Sequence, residues 1–144
     1  MKTLSTVTLL FGMLVVHYSG IAQSRTMAKP GENVWVFVNS VKADKRPQFE
    51  QFLHEVFWPG AEKLSGDDKK VFSQTRILHP TTAEADGTYS YLFVMDPVLK
   101  GGDYDITSLL TKMFGEAKAR EYQKMFDDAS SGPQKGYLLT QSKN

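Results

Sequence analysis

The chain has 144 residues, with 17 Lys and Arg against 16 Asp and Glu, and it contains no Cys. A formal charge of +1 argues against a nucleic-acid-binding protein, which normally carries a basic excess. Without cysteine there are no disulfide staples, no thiolate zinc sites and no iron–sulfur clusters.

Lys2, the apolar run Leu4–Val16 and the small residues around Gly20-Ile21-Ala22 are the three parts of a secretory signal, with cleavage expected after Ala22. The run is shorter than the roughly 20 residues a bilayer span needs. An uncleaved anchor is the alternative. No Cys follows the run, which excludes a lipid-anchored lipoprotein. Residues 1–22 are therefore read as a signal peptide, which predicts a periplasmic or secreted protein that keeps no membrane segment. Residues 23–32 read as a flexible polar lead-in and 33–144 as one domain.

In chain order the domain alternates between periods. Val34–Val38 is an apolar run of strand character. Phe49, Phe52, Leu53, Val56 and Phe57 form one apolar stripe of a helix over Pro47–Leu64. Asp44 is the expected N-cap, and Pro59 is expected to kink or end the helix near Trp58. Ser65-Gly66-Asp67-Asp68 reads as a turn, Val71–His79 as a second strand and Tyr89–Met95 as a third. Asp105 is placed to cap a helical stretch over Ile106–Ala129, which Gly115 divides. Gly136–Ser142 closes the domain as a fourth strand. This order predicts an α+β, ferredoxin-like βαββαβ sandwich: a four-stranded antiparallel sheet with helices on one face.

Side chains alternate along strands, so each strand divides into two sets. One set is mostly aliphatic, with Val34, Val36, Val38, Leu92 and Val94. The other is aromatic, with Trp35, Phe37, Phe72, Tyr89, Tyr91, Phe93 and Tyr137, and carries Asn39, Gln74, Arg76 and Gln141 among the rings. The aliphatic set is assigned to the helices, because small branched residues let helices sit close to a sheet; the opposite assignment is the alternative. An aromatic face turned outward is larger than a monomer tolerates, which predicts a homodimer paired sheet to sheet.

The first strand, the segment VKADKRPQFEQFLHE leading into a Phe-rich helix, the strand YSYLFVMDP and the closing YLLTQS resemble the dimeric α/β-barrel superfamily. That ferredoxin-like group includes antibiotic-biosynthesis-type monooxygenases. The resemblance implies that sheets pair into a barrel. Heme-degrading members use an Asn on the first strand together with a Trp and a His; Asn39 matches the Asn, while the second helical stretch holds no His.

Outside the signal the only histidines are His54, at the polar border of the first helix, and His79, at a strand end. No HxH or HExxH motif occurs, so no metal site is expected, and no cofactor is assigned. No GxSxG elbow marks a nucleophile. Arg76 is the most suggestive side chain: a cation among rings needs an anion or an aromatic partner, and Tyr89 or Tyr91 could stack on it. Asn39, Arg76, Tyr89, Tyr91 and Trp35 are the candidate ligand-binding residues. The expected function is a small homodimeric domain that binds an aromatic or anionic small molecule. The alternative is a cofactor-independent monooxygenase-like enzyme acting on an aromatic substrate.

Overall fold

A computed structural model describes residues 26–143, so the expected signal peptide lies outside the described residues. Strands β1 (Asn33–Val41), β2 (Thr75–Leu78), β3 (Tyr89–Met95) and β4 (Lys135–Thr140) form one sheet in the order β2-β3-β1-β4. Every neighbouring pair is antiparallel. This is the ferredoxin-like arrangement the element order predicts, with the two central strands β1 and β3 formed before and after the first crossover.

The first helical region starts with α1 (Arg46–Gln51), with Pro47 in its first turn. It widens into a π-helical turn over Phe52–Phe57, continues as α2 (Trp58–Gly60) and tightens into a 3₁₀ turn over Ala61–Lys63. Pro59 does not end it. A proline clashes with the carbonyl four residues earlier, and the wider turn just before Pro59 relieves that clash.

The second strand is shorter than expected. Gly66–Gln74 is helix α3, and only Thr75–Leu78 extends along β3. Asp67 and Asp68, read as turn residues, fall in the first turn of α3, where carboxylates favour the helix N-terminus. Val71 and Phe72 are buried from this helix. The second long helical stretch is two helices, α4 (Ile106–Phe114) and α5 (Glu116–Ala129), as the glycine predicts. Gly115 joins them at φ +75, a backbone conformation that residues with a Cβ rarely adopt.

The assignment of faces is reversed. Strand partners Trp35 and Met95, Phe37 and Phe93, and Asn39 and Tyr91 put the aromatic set on one side. That side meets the helices: Phe49 lies 4.8 Å from Tyr91 and Phe57 6.4 Å from Phe93, centroid to centroid. Tyr91, Phe49, Phe52, Leu53 and Leu110 are fully buried. The reason lies in the helices. Their stripe is itself rich in phenylalanine, and rings interlock best with rings in tilted and edge-on contacts.

The aliphatic set Val34, Val36, Val38, Leu92 and Val94 therefore lies on the far face. Tyr137 and Leu139 pair with Val36 and Val34 and share that face, not the aromatic one. Both are about half exposed, at 51% and 48%. Phe72 and Gln74 belong to α3 and to neither face of the sheet.

Arg76 pairs with Val94 in the ladder, so it too stands on the far face, away from Tyr89 and Tyr91. Its Nη2 is 2.9 Å from Oδ2 of the buried Asp96. The other oxygen of Asp96 accepts the backbone N–H of Ala28 at 2.8 Å. The arginine thus neutralises a carboxylate that pins the segment leading into β1. Arg76→Leu leaves that carboxylate buried without its charge partner and should cost roughly 1.5–3 kcal/mol, measurable by urea unfolding.

Candidate functional site

Two features lie on the helix side of the sheet. The first is a cavity of about 190 Å³ between the sheet and α3, α4 and α5. Phe37, Phe93 and Met95 wall it from the sheet, and Val71, Phe72 and Leu109 from the helices. Its polar lining is sparse. Asp105 caps α4, accepting the N–H of Ser108 at 2.7 Å. The hydroxyl of Thr75 donates to the carbonyl of Val71 at 2.7 Å. The Tyr104 hydroxyl accepts the backbone N–H of Leu99 at 2.8 Å. Gln134, just ahead of β4, also lines the cavity, and its Nε2 donates to Oδ1 of Asn39 at 3.0 Å. Asn39 is 3% exposed, and its own Nδ2 is buried with no partner among the described residues. A buried donor without an acceptor is uncommon enough to need an explanation.

The second feature is polar. Glu50 on α1, His54 in the π turn, His79 just past β2 and Tyr91 on β3 converge with Arg46. The Tyr91 hydroxyl makes a short hydrogen bond to Oε1 of Glu50. Arg46 Nε donates to the same oxygen at 3.2 Å and to the Tyr91 hydroxyl at 3.1 Å. The guanidinium also lies 4.4 Å above the Tyr89 ring and donates to the carbonyl of Pro80 at 3.4 Å. The His54 and His79 rings stack at 5.3 Å with 10° between their planes, and the His79 ring meets Tyr91 edge-on at 5.4 Å.

This arrangement separates the protonation of its members. Burial, reinforced by the adjacent Glu50 carboxylate, pushes the Tyr91 phenol up to about 12. The Tyr91 hydroxyl, more than Arg46, holds the Glu50 carboxyl below the usual carboxylate range.

The structure brings Asn39, Tyr89 and Tyr91 to the helix side of the sheet. Trp35 lies on the same side, 5.3 Å from Tyr104 beside the cavity. Arg76 is separated from all of them by the sheet. Gln134, Arg46, Glu50 and the pairing of His54 with His79 were not singled out from sequence. Glu50 and His54 stand four apart on one helix, a spacing that places side chains together and was available as a signal. His79 carried no such signal, because only the tertiary fold delivers it.

No family model matches the chain, and no curated protein matches it. Two solved structures similar to it carry the name "Putative antibiotic biosynthesis monooxygenase". One, from Nitrosomonas europaea, has a TM-score of 0.42 and 12% identity, covering 81% of this chain and 95% of that one. The other, from Caulobacter crescentus CB15, has a TM-score of 0.41 and 15% identity, covering 78% of this chain and 91% of that one. The likeness concerns the course of the backbone and carries no residue role to this chain.

Tyr91 yields a pH prediction. Its folded pKa lies above the unfolded value of 10.0, so its neutral form contributes stability that is fully present below that value and is lost as pH rises through about 12. An alkaline titration of tyrosinate absorbance should contain a late component near 12 that disappears in Tyr91→Phe.

Proposed function

We propose that this chain is a ligand-binding domain that takes a single-ring aromatic molecule into the cavity between sheet and helices, acting as a homodimer outside the cytoplasm. The observation that carries the reading is the cavity's combination of size and lining. An apolar cavity of about 150 Å³ is enough to hold benzene, whereas drug-sized ligands occupy roughly 300–1,000 Å³. The 190 Å³ found here suits one ring with a small substituent. Gln134 places an amide in the lining, held from behind by Asn39, so a phenol or benzoate fits better than a plain hydrocarbon.

The test is calorimetric titration with phenol and benzoate. Phenol should bind once per chain. Leu109→Phe, which fills the cavity from α4, should weaken binding by at least about tenfold, or roughly 1.4 kcal/mol, without lowering thermal stability. Absence of binding, or equal binding by the variant, would remove the reading. Oxygenation of such a ring without a cofactor is a second reading. It draws on the polar pair Gln134 and Asn39, of which Gln134 lines the cavity, and its measurement is oxygen uptake in the presence of the bound phenol.

The dimer is proposed through the far face. Val34, Val36, Val38 and Leu92, each partly exposed, make an aliphatic surface over adjacent strands, and a two-fold lays the same surface on itself. The expected outcome is a dimer mass for the purified protein in native mass spectrometry at micromolar concentration. Val36→Lys, at the centre of that surface, should yield monomer. A wild-type protein that is monomeric under these conditions would exclude the pairing. Localisation in the periplasm or outside the cell follows from residues 1–22 read as a signal, and N-terminal sequencing of the exported protein tests it.

A further inference from the structure

Glu50, His54 and His79 are absent from the cavity lining, and the ligand binding proposed above makes no use of them. One ligand atom from each lies within 4.8 Å of the others. Nδ1 of His79 is 4.0 Å from Oε1 of Glu50. We propose that these three side chains bind one divalent transition-metal ion of the zinc class.

Four observations carry this. The ligand set, two imidazoles and one carboxylate, suits zinc, copper, nickel or cobalt. The spacing is close to what such an ion needs: at metal–ligand bonds of about 2.0–2.2 Å, tetrahedral ligands stand roughly 3.4 Å apart. His54 is exposed, so a side-chain rotation can close the remaining gap of about an ångström. Glu50 is already oriented, because Tyr91 and Arg46 both hold its Oε1 while Oε2 has no hydrogen bond among the described residues. Hydrogen bonds of this kind fix a ligating carboxylate from behind. Finally, the widened helical turn begins just after Glu50 and contains His54. A π turn of this kind, rare in helices and frequent at functional sites, sets the angle at which His54 leaves the helix.

Arg46 decides selectivity. Its charge offsets that of Glu50, so the site offers little net negative potential and does not favour calcium or magnesium, which depend on several oxygen ligands. Affinity must come from the imidazole nitrogens. Three protein ligands leave a fourth tetrahedral position for water or a small anion.

The experiment uses the purified chelator-treated protein and Zn²⁺ alone, with bound metal measured by equilibrium dialysis and coordination read from the visible spectrum of the Co²⁺ form. One Zn²⁺ per chain is expected, with a tetrahedral Co²⁺ spectrum and no competition from millimolar Mg²⁺ or Ca²⁺. His79→Ala and the surface variant His54→Ala should each reduce affinity by at least about a hundredfold, and Tyr91→Phe by about tenfold, as loss of a supporting hydrogen bond does. Circular dichroism establishes that each variant is folded. Failure of the wild-type protein to bind Zn²⁺, or undiminished binding by folded His54→Ala, overturns the proposal. Either result leaves the phenol titration unaffected.

Discussion

The structure depends on ring-to-ring packing between the sheet and the first helical region. Phe49 against Tyr91, and Phe57 against both Phe72 and Phe93, join α1 and its continuation to β3 and α3. Phe126 of α5 meets Phe49 and Phe52, each at 5.6 Å, and draws the second helical layer onto the same cluster. Large flat side chains bury much area each and meet in tilted and edge-on contacts. Rings of the same cluster, Phe57, Phe72, Phe93 and Phe126, hold the two layers together and line the cavity between them.

That constraint also determines what the other face must be. Once most of the rings are spent on the interior, the central strands present mainly valines, Leu92 and serines outward, with Tyr137 the ring left on that side. The far surface is consequently aliphatic over Val34, Val36 and Leu92, with charge at its margins: Lys135 stands beside Val38, and Arg76 is engaged by Asp96.

The architecture was legible because periodicity is local. The alternation in Val34–Val38 and Tyr89–Met95, the stripe from Phe49 to Phe57 and the break at Gly115 each report on their own segment. The faces were not legible. Alternation divides a strand into two sets without saying which set is covered, and the answer lay in matching the sheet to a helix stripe made of phenylalanine. The helical start of the second strand was hidden for a related reason: Val71 and Phe72 look like strand residues until Asp67 and Asp68 are seen as the beginning of a helix. Arg76 was misplaced as a consequence, because its parity was counted in line with Phe72. Of the polar cluster, Tyr91 was identified for its place among the rings, while Glu50, His54 and His79 stayed apart until the end of β2 was folded against α1.

The widened turn over Phe52–Phe57 has a consequence for any change in the length of this region. A π turn holds one more residue than the same span of ordinary helix. Deleting one residue there would restore ordinary winding, but everything beyond would turn by about 100° about the axis. Phe57 would swing out of the interior, and Trp58 would follow it. The length of this helical region thus sets which way the aromatic residues of its far half face.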